Sequence, residues 1–108
     1  MRRATALPRR HVTAIMVVGV LHIQLSLPGA GSLKDKRRLL TSLLDRLHNR
    51  FNVAVAEVDQ QDVWRRAEVA VACVSSEGRH ANQILTRVMT EVERANDLIV
   101  VGYEMELR

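Results

Sequence analysis

From Val17 to Leu27 the chain alternates. Val17, Leu21, Ile23, Leu25 and Leu27 fall on one side, and Val18, Val20, His22, Gln24 and Ser26 on the other. A period of two marks a half-buried strand. Pro28-Gly29-Ala30-Gly31 ends it, because proline lacks a ladder donor and glycine permits a turn. The period then lengthens. Leu33, Leu40, Leu44 and Leu47, with Leu43 beside them, predict a helix stopping near Asn49. Ser32 stands at its N-cap with Asp35 three residues on, a capping-box relation. Arg46 and Arg50 occupy its last turns, where cations suit the dipole.

Alternation returns over Phe51 to Val58, with Phe51, Val53 and Val55 opposite Asn52, Ala54 and Ala56. A third strand is predicted over Ala67 to Ser75, with Val69, Val71 and Cys73 on one face and Glu68, Ala70 and Ala72 on the other. Ala81, Ile84, Leu85, Val88 and Val92 give a second helix from Ser75 or Ser76 to about Arg94, weakened at Gly78. Asp97 to Leu107 reads as the last strand, with Ile99, Val101, Tyr103 and Met105 on one face and Val100, Gly102, Glu104 and Glu106 on the other.

The order βαββαβ predicts an α+β, ferredoxin-like domain: a four-stranded antiparallel sheet with both helices on one face. Right-handed crossovers put the first and third strands at the centre and the second and fourth at the edges. The other face is then open. Besides six small apolar residues, it is expected to carry His22, Gln24, Asn52, Glu68, Val100 and Glu104. Its middle is small and apolar, made of Val18, Val20, Ala54, Ala56, Ala70 and Ala72. These six are the candidate sheet interface for a partner or a second copy. The same residues also suit a tolerated patch, since alanine carries little apolar area. No aromatic is expected on this face, which disfavours RNA reading by base stacking on the sheet.

At 108 residues the chain holds one domain, assigned to residues 16–108. Aromatics make up only 3% of the residues, so the core must be aliphatic. The formal charge of +4 is unevenly placed. Residues 1–15 contain Arg2, Arg3, Arg9 and Arg10 and no acid, whereas the remainder balances. This basic leader reads as a disordered tail or an upstream start. Arginines before an apolar run resemble a signal peptide, but the polar interruptions at His22, Gln24 and Ser26 argue for a strand instead. No run approaches the ~18 apolar residues of a membrane span. A lone Cys73 forms no internal disulfide, which suits a reducing cytoplasm. Scattered histidines and the lack of a cysteine pair give no metal site. No cofactor motif is present, because the glycines near the first helix do not have phosphate-loop spacing.

Two segments carry candidate chemistry. Lys34, Lys36, Arg37 and Arg38 cluster at the start of the first helix, behind Gly29 and Gly31. Free backbone N–H groups there hold anions, and cations add affinity for a nucleic acid by counterion release. Arg37 is expected near the buried stripe, and Lys34 and Arg38 share an exposed face. The same residues equally describe a solvated charged face. The second segment is Glu57 to Val69, where the only tryptophan sits among Asp, Gln and Arg. Asp59 and Asp62 are placed to cap a short helical turn, with Trp64 folded back over the open end of the core. Arg65 and Arg66 are then expected to pair with Asp59 or Asp62. Alternatively, Asp59, Asp62 and Trp64 form a loop platform on which Trp64 stacks a base while Arg65 or Arg66 meets phosphate.

Leu27 to Gly29, Ser32 to Arg37, Arg50 to Val53, Ala56 to Asp59, Gln61-Asp62 and Trp64 together resemble the YlxP-like family of small bacterial proteins. The resemblance covers residues 16–106 and excludes the leader. It implies a ferredoxin-like domain of unknown function. Family members lie in gene neighbourhoods with translation and ribosome-maturation factors, which implies RNA or ribosome association. It implies no catalytic residues. The expected function is thus a non-enzymatic, cofactor-free binding module. RNA or ribosome contact through the basic helix is preferred, and self-association through the open sheet face is the alternative.

Overall fold

The computed structural model describes residues 16–108; the leader 1–15 lies outside the described residues. Six elements follow in the predicted order: β1 (Val17–Ser26), α1 (Leu33–Arg50), β2 (Ala54–Asp59), β3 (Arg66–Ser75), α2 (Gly78–Glu93) and β4 (Ile99–Leu107). The strands form one antiparallel sheet ordered β2-β3-β1-β4. Strands β1 and β3 are central, as the crossover rule requires. α2 packs on β1, β3 and β4, and α1 packs on β2 and α2. This is the ferredoxin-like βαββαβ arrangement.

The core lies between the sheet and the two helices. Leu21, Ile23 and Leu25 of β1 and Val69 and Val71 of β3 meet Leu40, Leu43 and Leu47 of α1 and Leu85, Val88 and Val92 of α2, all buried. Burying one such side chain contributes about 1.5–3 kcal/mol, so this aliphatic layer dominates the fold's stability. Cys73 is buried against α2, its Sγ 3.9 Å from the Ala81 carbonyl oxygen. Gly19 is also inside. A Cβ there would stand 2.9 Å from Leu85 Cδ1 and 3.1 Å from Cys73 Sγ, so its absence lets α2 approach β1.

The start of α1 is built as its sequence reads. The Asp35 amide donates to Ser32 Oγ at 3.0 Å, and the Gly31 amide donates to Asp35 Oδ2 at 3.1 Å. α2 has no side-chain cap. Instead Ser75 Oγ accepts from the Glu77 amide at 3.1 Å just before it. The helices are clasped by Glu91 of α2, which accepts from Arg50 Nη1 at 3.0 Å and lies 3.7 Å from Arg46 Nε.

β4 departs from the expected pattern. His22 faces Glu104 and Gln24 faces Gly102, but Leu25 faces Val100 and Ser26 faces Ile99. One residue, Val101, is therefore extra on β4, forming a bulge. A one-residue slip reverses every side chain beyond it. Val100 consequently packs against the core rather than on the open face, and Ile99, expected inward, is 55% exposed.

Candidate functional site

The candidate residues gather at one end of the domain, where β1 ends, α1 begins and the β2–β3 loop turns. Lys34, Arg37 and Arg38 are exposed there, and Arg38 lies 4.0 Å from Asp35 within its own helix. Arg37 is exposed and is not among the buried residues of α1. Lys36 is the correction that matters most. It is 1% exposed, so it presents no charge to a ligand. It occupies the buried stripe Lys36, Leu40, Leu43, Leu47, at intervals of four, three and four. Its Nζ lies 2.9 Å from Glu57 Oε2, a charge contact rather than an aligned hydrogen bond. The same ammonium donates to the Gln60 carbonyl oxygen.

That contact shapes the β2–β3 loop. Gln60 has φ 63°, the one left-handed non-glycine backbone among the described residues. Such a conformation costs about 1–3 kcal/mol and persists only where its surroundings hold it. Here the Gln60 amide donates to Asp59 Oδ1 at 2.7 Å, and its carbonyl accepts from Lys36 and from the Val63 amide at 3.1 Å. Asp59 thus satisfies the backbone as expected, but the segment forms tight turns and not a helical turn. Asp62 is exposed. Trp64 does not close the core either. It is 50% exposed, because the aliphatic core is already sealed without it.

Arg65 is the tie between the two segments. Instead of pairing with Asp59 or Asp62, its Nε donates to the Ala30 carbonyl oxygen at 3.1 Å. The Leu27 amide donates to the Arg65 carbonyl oxygen at 2.9 Å from the other side. The loop bearing Trp64 is therefore fastened to the Pro28–Gly31 turn that precedes α1. Arg66, opposite Ser26 in the sheet, is exposed on the helix-free side.

The helix-free face itself divides in two. Val20, Ala54, Ala56, Ala70 and Ala72 surround a shallow apolar depression, with Val18 beside them opposite Val74, and they lie toward one end of the face rather than at its middle. Toward the basic end the face turns polar. His22 Nε2 lies 2.9 Å from Glu68 Oε1, and Gln24 stands opposite Glu68. Sequence reasoning placed His22, Gln24 and Glu68 on this face without separating a polar end from the rest. The available signal was the alternation that puts Gln24, His22, Arg66 and Glu68 on the same face. Among the described residues, no group of three or more metal-ligating side chains is clustered, and no helix is long and apolar enough to cross a membrane.

Residues 18–105 match the family described as "Protein of unknown function (DUF503)". The chain is also 35% identical over 77 residues to "Uncharacterized protein YlxP" of Bacillus subtilis (strain 168), covering 71% of this chain and 84% of that one. The chain belongs to this family. Its membership agrees with the motif resemblance and brings no assigned activity. Among solved structures it resembles a C-terminal segment of the alpha subunit of aIF2 from Pyrococcus abyssi, with a TM-score of 0.48, 15% identity, and coverage of 90% of this chain and 52% of that one. A de novo designed protein, Foldit4, gives 0.46 with 19% identity, covering 86% of this chain and 93% of that one. A dimeric ferredoxin-like protein from an uncultured marine organism gives 0.43 with 10% identity, covering 86% and 85%.

Proposed function

We propose that this protein is an RNA- or ribosome-associated binding module whose contact surface is the end of the domain shared by the start of α1 and the β2–β3 loop. One observation carries the reading: the Arg65 Nε–Ala30 oxygen bond at 3.1 Å. It joins Lys34, Arg37 and Arg38 to Trp64 and Arg66, sets of residues that lie far apart in sequence. An exposed tryptophan among cations offers a stacking surface beside phosphate contacts, the combination by which proteins hold single-stranded nucleic acid. The nearby acids Asp35 and Asp59 are occupied with backbone amides. The context implied by the family resemblance points the same way. The reading needs no catalytic group and no cofactor.

The test is fluorescence anisotropy of a labelled single-stranded RNA against the full chain and its K34E/R38E/R66E variant. Affinity should fall and the dependence of binding on salt should flatten, since each lost phosphate contact removes about one released counterion. Equal affinity and equal salt slope would remove the proposal. Lys36 is left out of the variant because its change would damage the fold.

A second reading, self-association through the helix-free face, is favoured by Val74 and Val58, which are 64% and 48% exposed there. Its area ranks it second. Four strands about 4.8 Å apart, over half of a strand about 33 Å long, span roughly 300 Å². A stable interface buries about 800 Å² per partner.

A further inference from the structure

On the helix-free side, at the basic end, lies a pocket of about 250 Å³ lined by Gln24, Leu25, Gln60, Arg66, Ala67 and Glu68. Two departures from regular sheet pairing flank it. The β2–β3 register shifts between Glu57 and Asp59, and the β1–β4 register shifts between Gln24 and Leu25. Its Gln60 wall is the left-handed residue whose carbonyl is held by the buried Lys36. Bulges and fixed backbone outliers of this kind concentrate where a chain positions side chains for recognition.

The polar lining has a definite chemistry. Arg66 donates only, an ionised Glu68 accepts only, and the Gln24 and Gln60 amides do both. Arg66 and Glu68 are two residues apart on one face of β3, so their Cα atoms stand about 7 Å apart. Glu68 directs Oε1 at His22, which leaves Oε2 to accept from a ligand. At Gly102, opposite Gln24, a Cβ would stand 3.1 Å from Gln24 Oε1, so the missing side chain leaves that amide its room. The volume lies below the about 300–1,000 Å³ of sites for drug-sized ligands, so one ring system suits it better than a dinucleotide.

We infer that this pocket takes the base of one unpaired nucleotide and favours guanine. The guanine Watson–Crick edge places an acceptor, O6, beside two donors, N1–H and the 2-amino group. Arg66 would donate to O6, Glu68 Oε2 would accept from N1–H and the Gln24 amide oxygen would accept from the 2-amino group, with Gln60 at the ring's flank. Uracil lacks the paired donors, and adenine presents a donor where Arg66 needs an acceptor. Single-stranded RNA is commonly read on such base edges. The inference deepens the proposed function and rests on it for the source of the nucleotide, which is RNA.

Titrating the four nucleoside 5′-monophosphates into isotope-labelled full chain, followed by amide NMR, tests it separately from RNA binding. Guanosine monophosphate should give saturable shifts at Gln24, Gln60, Ala67 and Glu68, with affinity about tenfold above the other three. Glu68→Gln and Gln24→Ala should each remove that preference while the thermal midpoint holds. If Glu68→Gln disturbs folding, Gln24→Ala decides. Indistinguishable shifts from all four nucleotides, or guanosine monophosphate shifts confined to other parts of the chain, overturn the inference, as does no saturable shift. Guanosine binding without RNA binding would sustain the pocket and sink the wider proposal. RNA binding that the Lys34 and Arg38 changes weaken, without guanosine shifts, would do the reverse.

Discussion

Lys36 Nζ and Glu57 Oε2 lie 2.9 Å apart beneath the β2–β3 loop, with the lysine 1% exposed and the same ammonium holding the Gln60 carbonyl. A helix residue and a strand residue, both at positions where leucine or valine would be expected, thus fix the backbone that carries Trp64 and Arg65. Removing one partner of a buried pair costs more than the pair itself contributes, because the other charge is stranded.

Lys36→Ala should therefore lose about 3 kcal/mol in urea unfolding. Glu57→Gln should lose about 1 kcal/mol, since it keeps an acceptor and is partly solvated. A loss for Lys36→Ala no larger than that of an exposed-lysine change such as Lys34→Ala would show that the pair does not hold the loop.

Gly19→Ala sets two effects against each other. Replacing glycine in a strand gains about 0.5–1 kcal/mol from the backbone. Overpacking a filled core costs about 1–3 kcal/mol. With Leu85 Cδ1 only 2.9 Å from the new Cβ and Leu85 fully buried, packing should win. The expected outcome is a net loss of about 1–2 kcal/mol, partly restored by adding Leu85→Val. A variant more stable than the wild type would refute the close approach of α2 to β1.

The Glu106 carboxyl is held below the usual carboxylate range, first by its hydrogen bond from Arg108 and then by that residue's charge. A lowered folded value means any stabilisation is present above the unfolded value and fades as pH falls through the folded one. The pair is exposed at the end of β4, so stability should barely respond. The carboxyl carbon shift should instead report the lowered midpoint, and Arg108→Ala should return it to the ordinary range. A midpoint that does not move in the variant would assign the shift elsewhere.

The small area of the apolar half predicts a single-chain mass of 12.2 kDa in sedimentation equilibrium at micromolar concentration. Ala70→Arg should leave that mass unchanged. A stable dimer that Ala70→Arg splits would favour the self-association reading over the area argument.

Most of the architecture was legible because periods of two and of 3.6 alternate cleanly along the chain. The capping of α1 by Ser32, the central place of β1 and β3 and the inward position of Cys73 all follow from that reading. Beyond the bulge at Val101 it failed, since one inserted residue exchanges the faces of Ile99 and Val100. The site was only half legible. A charged Lys36 was read as outward because cations usually are, although it lies four residues before Leu40 and seven before Leu43. Glu57 likewise continues the inward series Val53, Val55. Two opposite charges at inward positions of facing elements were the available sign of a buried pair. Nothing local announces the Arg65–Ala30 contact, which joins residues 35 apart through the fold alone.

The central claim is that one end of the domain meets RNA. The most direct measurement is ultraviolet crosslinking of the full chain to single-stranded RNA, followed by mapping of the adducts. The account predicts adducts on the peptides carrying Trp64 to Arg66 and Lys34 to Arg38. Adducts confined to the leader 1–15 or to α2, or none at RNA concentrations that saturate a known binder, would contradict it.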